Sequence, residues 1–183
     1  MKKLTILIDM DDTIEGLLPV WVEYLNNRYG TTVSTDDVKE WDITKAFPEL
    51  SEHQIFEPFL FESFWENVKP LPGAQEVIKR LMDDGHDVYI VTSTCYKIIE
   101  MKMDKVLFKY FPFIDHKKLI ITYNKQLLHG DVMIDDAPHN LIGGCYEKLL
   151  MDSPMNRSVR CDSKSELTRM HSWYQIYDYI QTL

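Results

Sequence analysis

LTILIDMDDT, residues 4–13, joins a short apolar run to three closely spaced aspartates. An apolar run of about 4–8 residues is typical of a strand that is buried on both faces of a parallel sheet. VMIDD, residues 132–136, repeats this pattern much further along the chain. Because ligands of open α/β sheets bind beyond the carboxyl ends of the strands, we expect both sets of carboxylates at one shared edge.

Four carboxylates are therefore predicted to form one metal site: Asp9, Asp11, Asp135 and Asp136. Without a cation between them, these groups would repel one another strongly. An oxygen-only ligand set, with no suitably placed histidine or cysteine, favours a hard ion. Mg²⁺ is the predicted cofactor.

The composition argues against several classes of protein. The 183 residues suit one domain with a small inserted lobe, and 45% of them are hydrophobic. A formal net charge of −9 without a basic cluster argues against binding to a nucleic acid polymer. The three cysteines form no C-x-x-C pair, and no apolar stretch approaches the length of a membrane span. We therefore expect a cytoplasmic protein that has no membrane partner.

Strand and helix patterns alternate through most of the chain. The strand patterns lie at residues 87–92, 119–122, 131–134 and 149–151, and the helix patterns at 74–84, 96–110 and 173–183. This alternation predicts an α/β fold, a Rossmann-like parallel sheet with helices on both faces.

Residues 14–69 have a different character. Apolar residues recur there at helical spacing up to Gly30, and an aromatic-rich stretch without a clear strand follows. We predict a small helical cap, residues 14–69, inserted after the first strand. Residues 1–13 and 70–183 then form the Rossmann-like core, and the PLPG segment at 70–73 returns the chain to it.

Asp9 and Asp11 suit a two-step hydrolysis of a phosphate ester. A carboxylate can attack phosphorus to form an aspartyl-phosphate, and a second carboxyl can move the protons that both steps require. Residues i and i+2 of extended backbone point the same way, so both side chains can face one substrate. We predict Asp9 as the nucleophile and Asp11 as the general acid and base.

Three further polar residues are candidates for binding the phosphate. Thr92 and Ser93 end a predicted strand, where hydroxyl and backbone N–H groups can cradle phosphate, although a helix cap would also explain them. Lys105, on the next predicted helix, is the preferred lysine for offsetting phosphoryl charge, and Lys102 is the second choice.

The order of these elements resembles the haloacid dehalogenase-like superfamily of Mg²⁺-dependent phosphotransferases. Its D-x-D-x-[TV] motif corresponds to residues 9–13. The resemblance implies that Asp9 gives a side-chain oxygen to Mg²⁺ and that Asp11 gives its backbone carbonyl. It also implies that Thr92 is the phosphate-binding hydroxyl and that Lys105 is the lysine of the superfamily's motif. Asp135 and Asp136 would then complete the metal site.

A narrower resemblance is to the 5′(3′)-deoxyribonucleotidases, which remove phosphate from nucleoside monophosphates and prefer deoxypyrimidines. It covers residues 4–140, with DMD at 9–11, PLPGA at 70–74, TS at 92–93, DK at 104–105 and IDDAP at 134–138. It implies that Trp41 contacts the base and that Lys125 lies on the phosphate side.

Three departures from this family concern the substrate. Asp12 stands where the family has a glycine, Leu17 where it has a phenylalanine, and Tyr123 where it often has an arginine. The reaction class is therefore better supported than the identity of the base.

The resulting prediction is an Mg²⁺-dependent phosphomonoesterase acting on a nucleoside monophosphate. Two alternatives stay open. One is a phosphatase of the same superfamily that acts on another small phosphate ester, and the other is a catalytically silent module that binds a nucleotide or a metal. The assembly is open between a monomer and a homodimer.

Overall fold

The sheet of this computed structural model consists of six parallel strands, within the described residues 2–162 and 164–183. They are β1 (Thr5–Ile8), β2 (Asp87–Thr92), β3 (Leu119–Ile121), β4 (Val132–Asp135), β5 (Glu147–Met151) and β6 (Leu167–Met170). Their order across the sheet is β3-β2-β1-β4-β5-β6. The predicted Rossmann-like fold is confirmed, and β1 and β4 lie side by side at its centre.

Strand β6 is the one that the sequence patterns did not predict. It reads LTRM, and its two middle residues, Thr168 and Arg169, are only partly buried. The strand lies at the edge of the sheet and pairs only with β5 among the described strands. An edge strand of this length and polarity lacks the apolar run by which buried strands are recognised.

Helices pack on both faces of the sheet and also form much of segment 14–69. The α-helices of the described residues are α1 (Leu17–Tyr29), α2 (Glu52–Phe56), α3 (Glu62–Trp65), α4 (Ala74–Asp83), α5 (Ile99–Lys102), α6 (Phe108–Tyr110), α7 (Pro138–Leu141) and α8 (Trp173–Ile180). None of the helices in the described part of the chain is long and apolar enough to cross a membrane.

Alternate residues of β1 pack into different hydrophobic clusters. Ile6 and Ile8 share a cluster with residues of α4 and α8, whereas Leu7 belongs to a second cluster that includes Leu141 of α7. Side chains of a strand point alternately to opposite faces, so β1 is covered on both. Its carboxyl end is therefore held rigidly between two packed layers.

The helix predicted for residues 96–110 is interrupted. Helix α5 begins at Ile99, and a π turn at Met103–Leu107 separates it from α6. A π turn widens the helix and rotates the side chains that follow it relative to a regular α-helix. The interruption bears directly on which lysine faces the site.

The segment 14–69 contains helices and short turns, and no strand among its elements. Helix α1 ends at Gly30, whose φ of +71° is a left-handed conformation that glycine adopts easily. A third hydrophobic cluster lies within this segment, formed by Leu18, Val22, Leu25, Val38, Ile43, Phe47 and Ile55. The division into a core (1–13 and 70–183) and a cap (14–69) stays a prediction, because Phe64 and Trp65 pack with the sheet cluster.

Candidate active site

The carboxyl ends of β1 and β4 bring three acidic residues together. The two strands pair directly, and the Asp9 N–H donates to the Ile134 carbonyl at 2.9 Å. Asp9, Asp135 and Asp136 are all buried, and each offers a carboxylate oxygen within 4.8 Å of the others. These are three of the four acids that the sequence predicted at a shared edge, and the fourth is Asp11.

Lys125 lies in the middle of this group. It is 1% exposed, and its Nζ binds the Asp9 carboxylate and donates to Asp135 Oδ2 at 2.7 Å. Burial alone would lower the pKa of Lys125, but the two carboxylates outweigh it and raise the pKa. Lys125 is thus a fixed positive charge beside Asp9, placed by the short turn at Lys125–Leu127 that follows β3.

One lysine does not neutralise this cluster. Burial raises the pKa of Asp9 to about 7, although Lys125 opposes the shift. Burial and the neighbouring aspartates raise the pKa of Asp136 well above its usual range. Asp136 Oδ2 is also buried and has no hydrogen-bond partner in the described part of the chain.

These observations fit a hard divalent cation. Carboxylate oxygens are the ligands that Mg²⁺ prefers, and an orphaned buried oxygen is costly unless a further partner satisfies it. Asp9, Asp135 and Asp136 supply that donor set. The Asp11 side chain is not in this carboxylate group; it turns toward a different lysine.

Asp11 is paired with Lys102. Lys102 is 1% exposed, and its Nζ donates to Asp11 Oδ2 at 2.6 Å and to Thr92 Oγ1 at 3.0 Å. Burial would raise the pKa of Asp11, but the charge and the hydrogen bond of Lys102 outweigh it, so the pKa is lowered. Lys102 therefore connects the second aspartate of the motif to the hydroxyl at the end of β2.

The structure places Lys105 away from these acids. Its Nζ pairs with Glu62 and Glu66, and the side chain is 30% exposed. Lys105 lies within the π turn and faces the acidic side chains around α3, whereas Lys102, at the end of α5, faces the sheet. Both lysines were candidates from the sequence. What distinguishes them is the direction of each side chain, which depends on how the helix packs against its neighbours.

Glu15 is a buried acid that the sequence analysis did not single out. It is 0% exposed, and neither carboxylate oxygen has a hydrogen-bond partner among the described residues. Burial, followed by the nearby Asp11, raises the pKa of Glu15 well above its usual range. A single glutamate between a strand end and a helix carries no sequence signal for such burial.

A cavity of about 500 Å³ opens above these charged groups. Asp9, Asp11, Ser93 and Lys125 contribute to its polar part. Ser93 Oγ donates to the Thr122 carbonyl at 2.8 Å, which holds this hydroxyl beside the site. Much of the remaining wall is apolar, and its apolar residues include Leu17, Leu18, Trp21, Ile43, Phe56, Phe59 and Met155.

Trp41 lines the same cavity and stays accessible. It is 43% exposed, and its ring lies 5.3 Å from the His139 ring at an interplanar angle of 77°. Tyr123, at the position of the family's arginine, also lines the cavity and is 67% exposed. A flat aromatic surface therefore stands at the mouth of a pocket whose floor is charged.

Comparison with known proteins agrees with this geometry. Residues 2–183 match the family described as 5′ nucleotidase, deoxy (pyrimidine), cytosolic type C protein. The chain is 33% identical over 177 residues to the 5′(3′)-deoxyribonucleotidase of Bacillus subtilis, covering 96% of this chain and 97% of that protein.

Two solved structures share the fold at low sequence identity. A haloacid dehalogenase (HAD) family hydrolase from Deinococcus radiodurans, with bound phosphate and sodium, has a TM-score of 0.66 at 12% identity, covering 97% of this chain and 95% of that one. A Bacillus subtilis protein assigned as a HAD-hydrolase and bound to magnesium has a TM-score of 0.58 at 14% identity, covering 98% and 99%. Together with the acid pair at the end of β1, the family match shows that this chain belongs to the 5′ nucleotidase, deoxy (pyrimidine), cytosolic type C family and is a phosphatase of the nucleotidase type with a HAD-like fold.

Proposed function

We propose that this protein hydrolyses nucleoside monophosphates, deoxyribonucleotides in particular, to nucleoside and phosphate through an aspartyl-phosphate and with Mg²⁺. The observation that carries the proposal is the position of Asp9. Its carboxylate ends a rigid central strand, touches Lys125, and lines the charged floor of the cavity. A carboxylate held in this way can act as a nucleophile toward a phosphorus atom placed above it.

The first step forms a bond between an Asp9 oxygen and phosphorus. The bond from phosphorus to the nucleoside oxygen breaks with its electron pair, and Asp11 donates a proton to that oxygen. In the second step Asp11 takes a proton from water as the water attacks phosphorus. The bond between phosphorus and Asp9 then breaks, which releases phosphate and regenerates the carboxylate.

Other side chains of the site bind the phosphoryl group in this proposal. Lys125 and Ser93 line the cavity beside Asp9, and Thr92 lies behind them, bonded to Lys102. Positive charge fixed at this place stabilises the negative charge of the transferring group, and the Ser93 hydroxyl would turn from the Thr122 carbonyl to donate to a phosphoryl oxygen. Lys102 replaces Lys105 in the proposal, because it contacts both Asp11 and Thr92.

Asp9, Asp135 and Asp136, with the backbone of Asp11, would hold the Mg²⁺ ion. When bound, the ion supplies positive charge that keeps the carboxylates ionised and stabilises the negative charge on the phosphoryl oxygens. The magnesium and phosphate in the two HAD-like structures support this assignment as an analogy of fold.

The apolar upper wall suits a nucleobase. Aromatic rings stack on any base, and Trp41 presents an accessible ring at the cavity mouth. The curated relative is named a 5′(3′)-deoxyribonucleotidase, which supports a deoxynucleotide substrate here. A cap formed by residues 14–69 would cover the site and select the leaving group. We also propose a cytoplasmic location, which the word cytosolic in the family description supports; a homodimer stays a prediction.

The test is phosphate release from dUMP, dTMP, their ribose counterparts and several sugar phosphates, with and without Mg²⁺. We expect Mg²⁺-dependent turnover of the deoxynucleotides and a loss on the order of 10³-fold or more in Asp9→Asn. Asp131→Asn, the same change at the opposite end of β4, is the matched control and should keep wild-type turnover. Turnover of sugar phosphates alone would overturn the substrate, and full activity of Asp9→Asn would overturn the mechanism. Mg²⁺ binding without any turnover would favour the silent module.

A further inference from the structure

A short turn after β5 reaches back to the acidic cluster. Pro154–Asn156 forms this turn, and Asn156 at its end is 0% exposed. Asn156 Nδ2 donates to two backbone carbonyls, that of Asp136 at 2.7 Å and that of Met151 at 2.7 Å. The Asn156 side chain thus joins the turn to the backbone of a proposed metal-site residue.

The acceptor oxygen of Asn156 is occupied as well. Asn156 Oδ1 accepts from the Ser153 N–H at 3.2 Å and from Arg169 Nη1 at 2.6 Å. Arg169, on edge strand β6, also donates through Nη2 to the carbonyls of Asn156 at 3.0 Å and Val159 at 2.9 Å. All four hydrogen bonds that an amide side chain can make are therefore used. This fixes the orientation of the amide and leaves it little freedom to rotate.

The two peptide groups on either side of the Asp136 Cα are both held by hydrogen bonds. The Asp136 N–H donates to Thr13 Oγ1 at 3.1 Å, and its carbonyl accepts from Asn156. The side chain, in contrast, keeps Oδ2 buried and without a partner among residues 2–162 and 164–183. A rigid backbone with a free carboxylate oxygen is the arrangement that a pre-organised ligand requires.

We infer that Asn156 is a positioning residue for the cation site, acting through the backbone of Asp136. The inference rests on the proposed function, because it assigns Asn156 a role in the metal site proposed there. Asn156 touches neither substrate nor reacting atoms. It determines where the Asp136 carboxylate lies, and Arg169 determines where Asn156 lies.

The same turn also contacts the segment predicted to be the cap. Met155 packs against the cluster of residues 18–55 and lines the cavity, and Arg157 Nη1 donates to Asp36 Oδ1 at 2.8 Å. Asn156 therefore connects Asp136, at the acidic cluster, with Met155, which lines the apolar part of the cavity. A displacement of the turn would therefore move both the Asp136 backbone and the cavity wall at Met155. A residue that only fills space locally would not have this effect.

The test measures Mg²⁺ binding by calorimetry with MgCl₂ alone, without substrate. Asn156→Ala removes all four hydrogen bonds, and Asn156→Asp keeps an acceptor for Arg169 but replaces the donating Nδ2 with an oxygen. Lys148→Met is the matched control, because it removes a β5 side chain that binds Glu166 beside β6, away from the acids. Melting temperatures of all variants separate loss of stability from loss of binding.

We expect both Asn156 variants to raise the Mg²⁺ Kd by about tenfold or more, while Lys148→Met keeps the wild-type Kd. An unchanged Kd in Asn156→Asp would overturn the inference, even if its melting temperature falls. If Asn156→Ala does not fold, the nearly isosteric Asn156→Asp carries the test alone. Absence of Mg²⁺ binding to the wild-type protein would instead overturn the metal site of the proposed function.

Discussion

Replacing Lys102 and Lys105 separately by methionine tests the geometry of the site most directly. The two lysines are three residues apart in the same helical region and lose the same charge, but their surroundings differ. Lys102 is buried between Asp11 and Thr92, whereas Lys105 pairs with Glu62 and Glu66, whose side chains are 58% and 52% exposed. Methionine keeps much of the length of the aliphatic stem in both variants, so the comparison isolates the ammonium group.

The expected magnitudes follow from burial. Removing one partner of a buried ion pair costs about 3–5 kcal/mol, because the other charge is left without compensation. Asp11 keeps 29% exposure, so we expect the lower end, about 3 kcal/mol, for Lys102→Met. Lys105→Met removes a surface pair that solvent screens, so it should cost much less than Lys102→Met.

Urea unfolding followed by tryptophan fluorescence measures these losses. With a slope of about 2 kcal/mol per molar urea, Lys102→Met should lower the midpoint by about 1.5 M, and Lys105→Met should lower it much less. Turnover of dUMP should fall about 100-fold or more in Lys102→Met, since a fixed donor next to Asp11 is lost, and stay near wild type in Lys105→Met. Equal losses of stability and turnover in the two variants would refute the placement of Lys102 at the site.

Three further predictions concern the base, the metal and the backbone. Trp41→Ala should raise the KM for dUMP about tenfold but leave the KM for glycerol phosphate unchanged, since stacking on a base contributes about 1–3 kcal/mol; a parallel rise in both would contradict base stacking. Removing divalent ions with EDTA should abolish turnover, and Mg²⁺ at 100 times its Kd should restore it and raise the melting temperature by about 5–10 °C; an unchanged melting temperature would count against the site. Gly73→Ala should destabilise the fold by up to about 1 kcal/mol more than Gly30→Ala in urea unfolding. Both glycines have positive φ, but the added Cβ at Gly73 would lie 3.1 Å from the half-exposed Tyr174 ring, which must shift, whereas Gly30 has open space. Equal losses would show that only the backbone conformation matters.

The sequence by itself determined the architecture of the centre and the class of reaction. β1 and β4 are apolar runs that end in carboxylates, and both features are local, so they can be read without knowledge of contacts. The same holds for α4, whose predicted range, 74–84, agrees to within one residue with Ala74–Asp83, and for the family resemblance carried by residues 9–13. The convergence of Asp9, Asp135 and Asp136 followed from one general rule about parallel sheets.

Only the tertiary structure decided which polar residues meet. Lys102 rather than Lys105 faces Asp11, because a π turn and the packing of the helix set the direction of each side chain. Asn156 supports Asp136 across a separation of 20 residues, through a turn whose position depends on β5 and on edge strand β6. Such contacts are formed by elements that are distant in sequence, so no periodicity or composition of the sequence indicates them. Burial on both faces of a strand, in contrast, requires a run of apolar residues that can be recognised in the sequence.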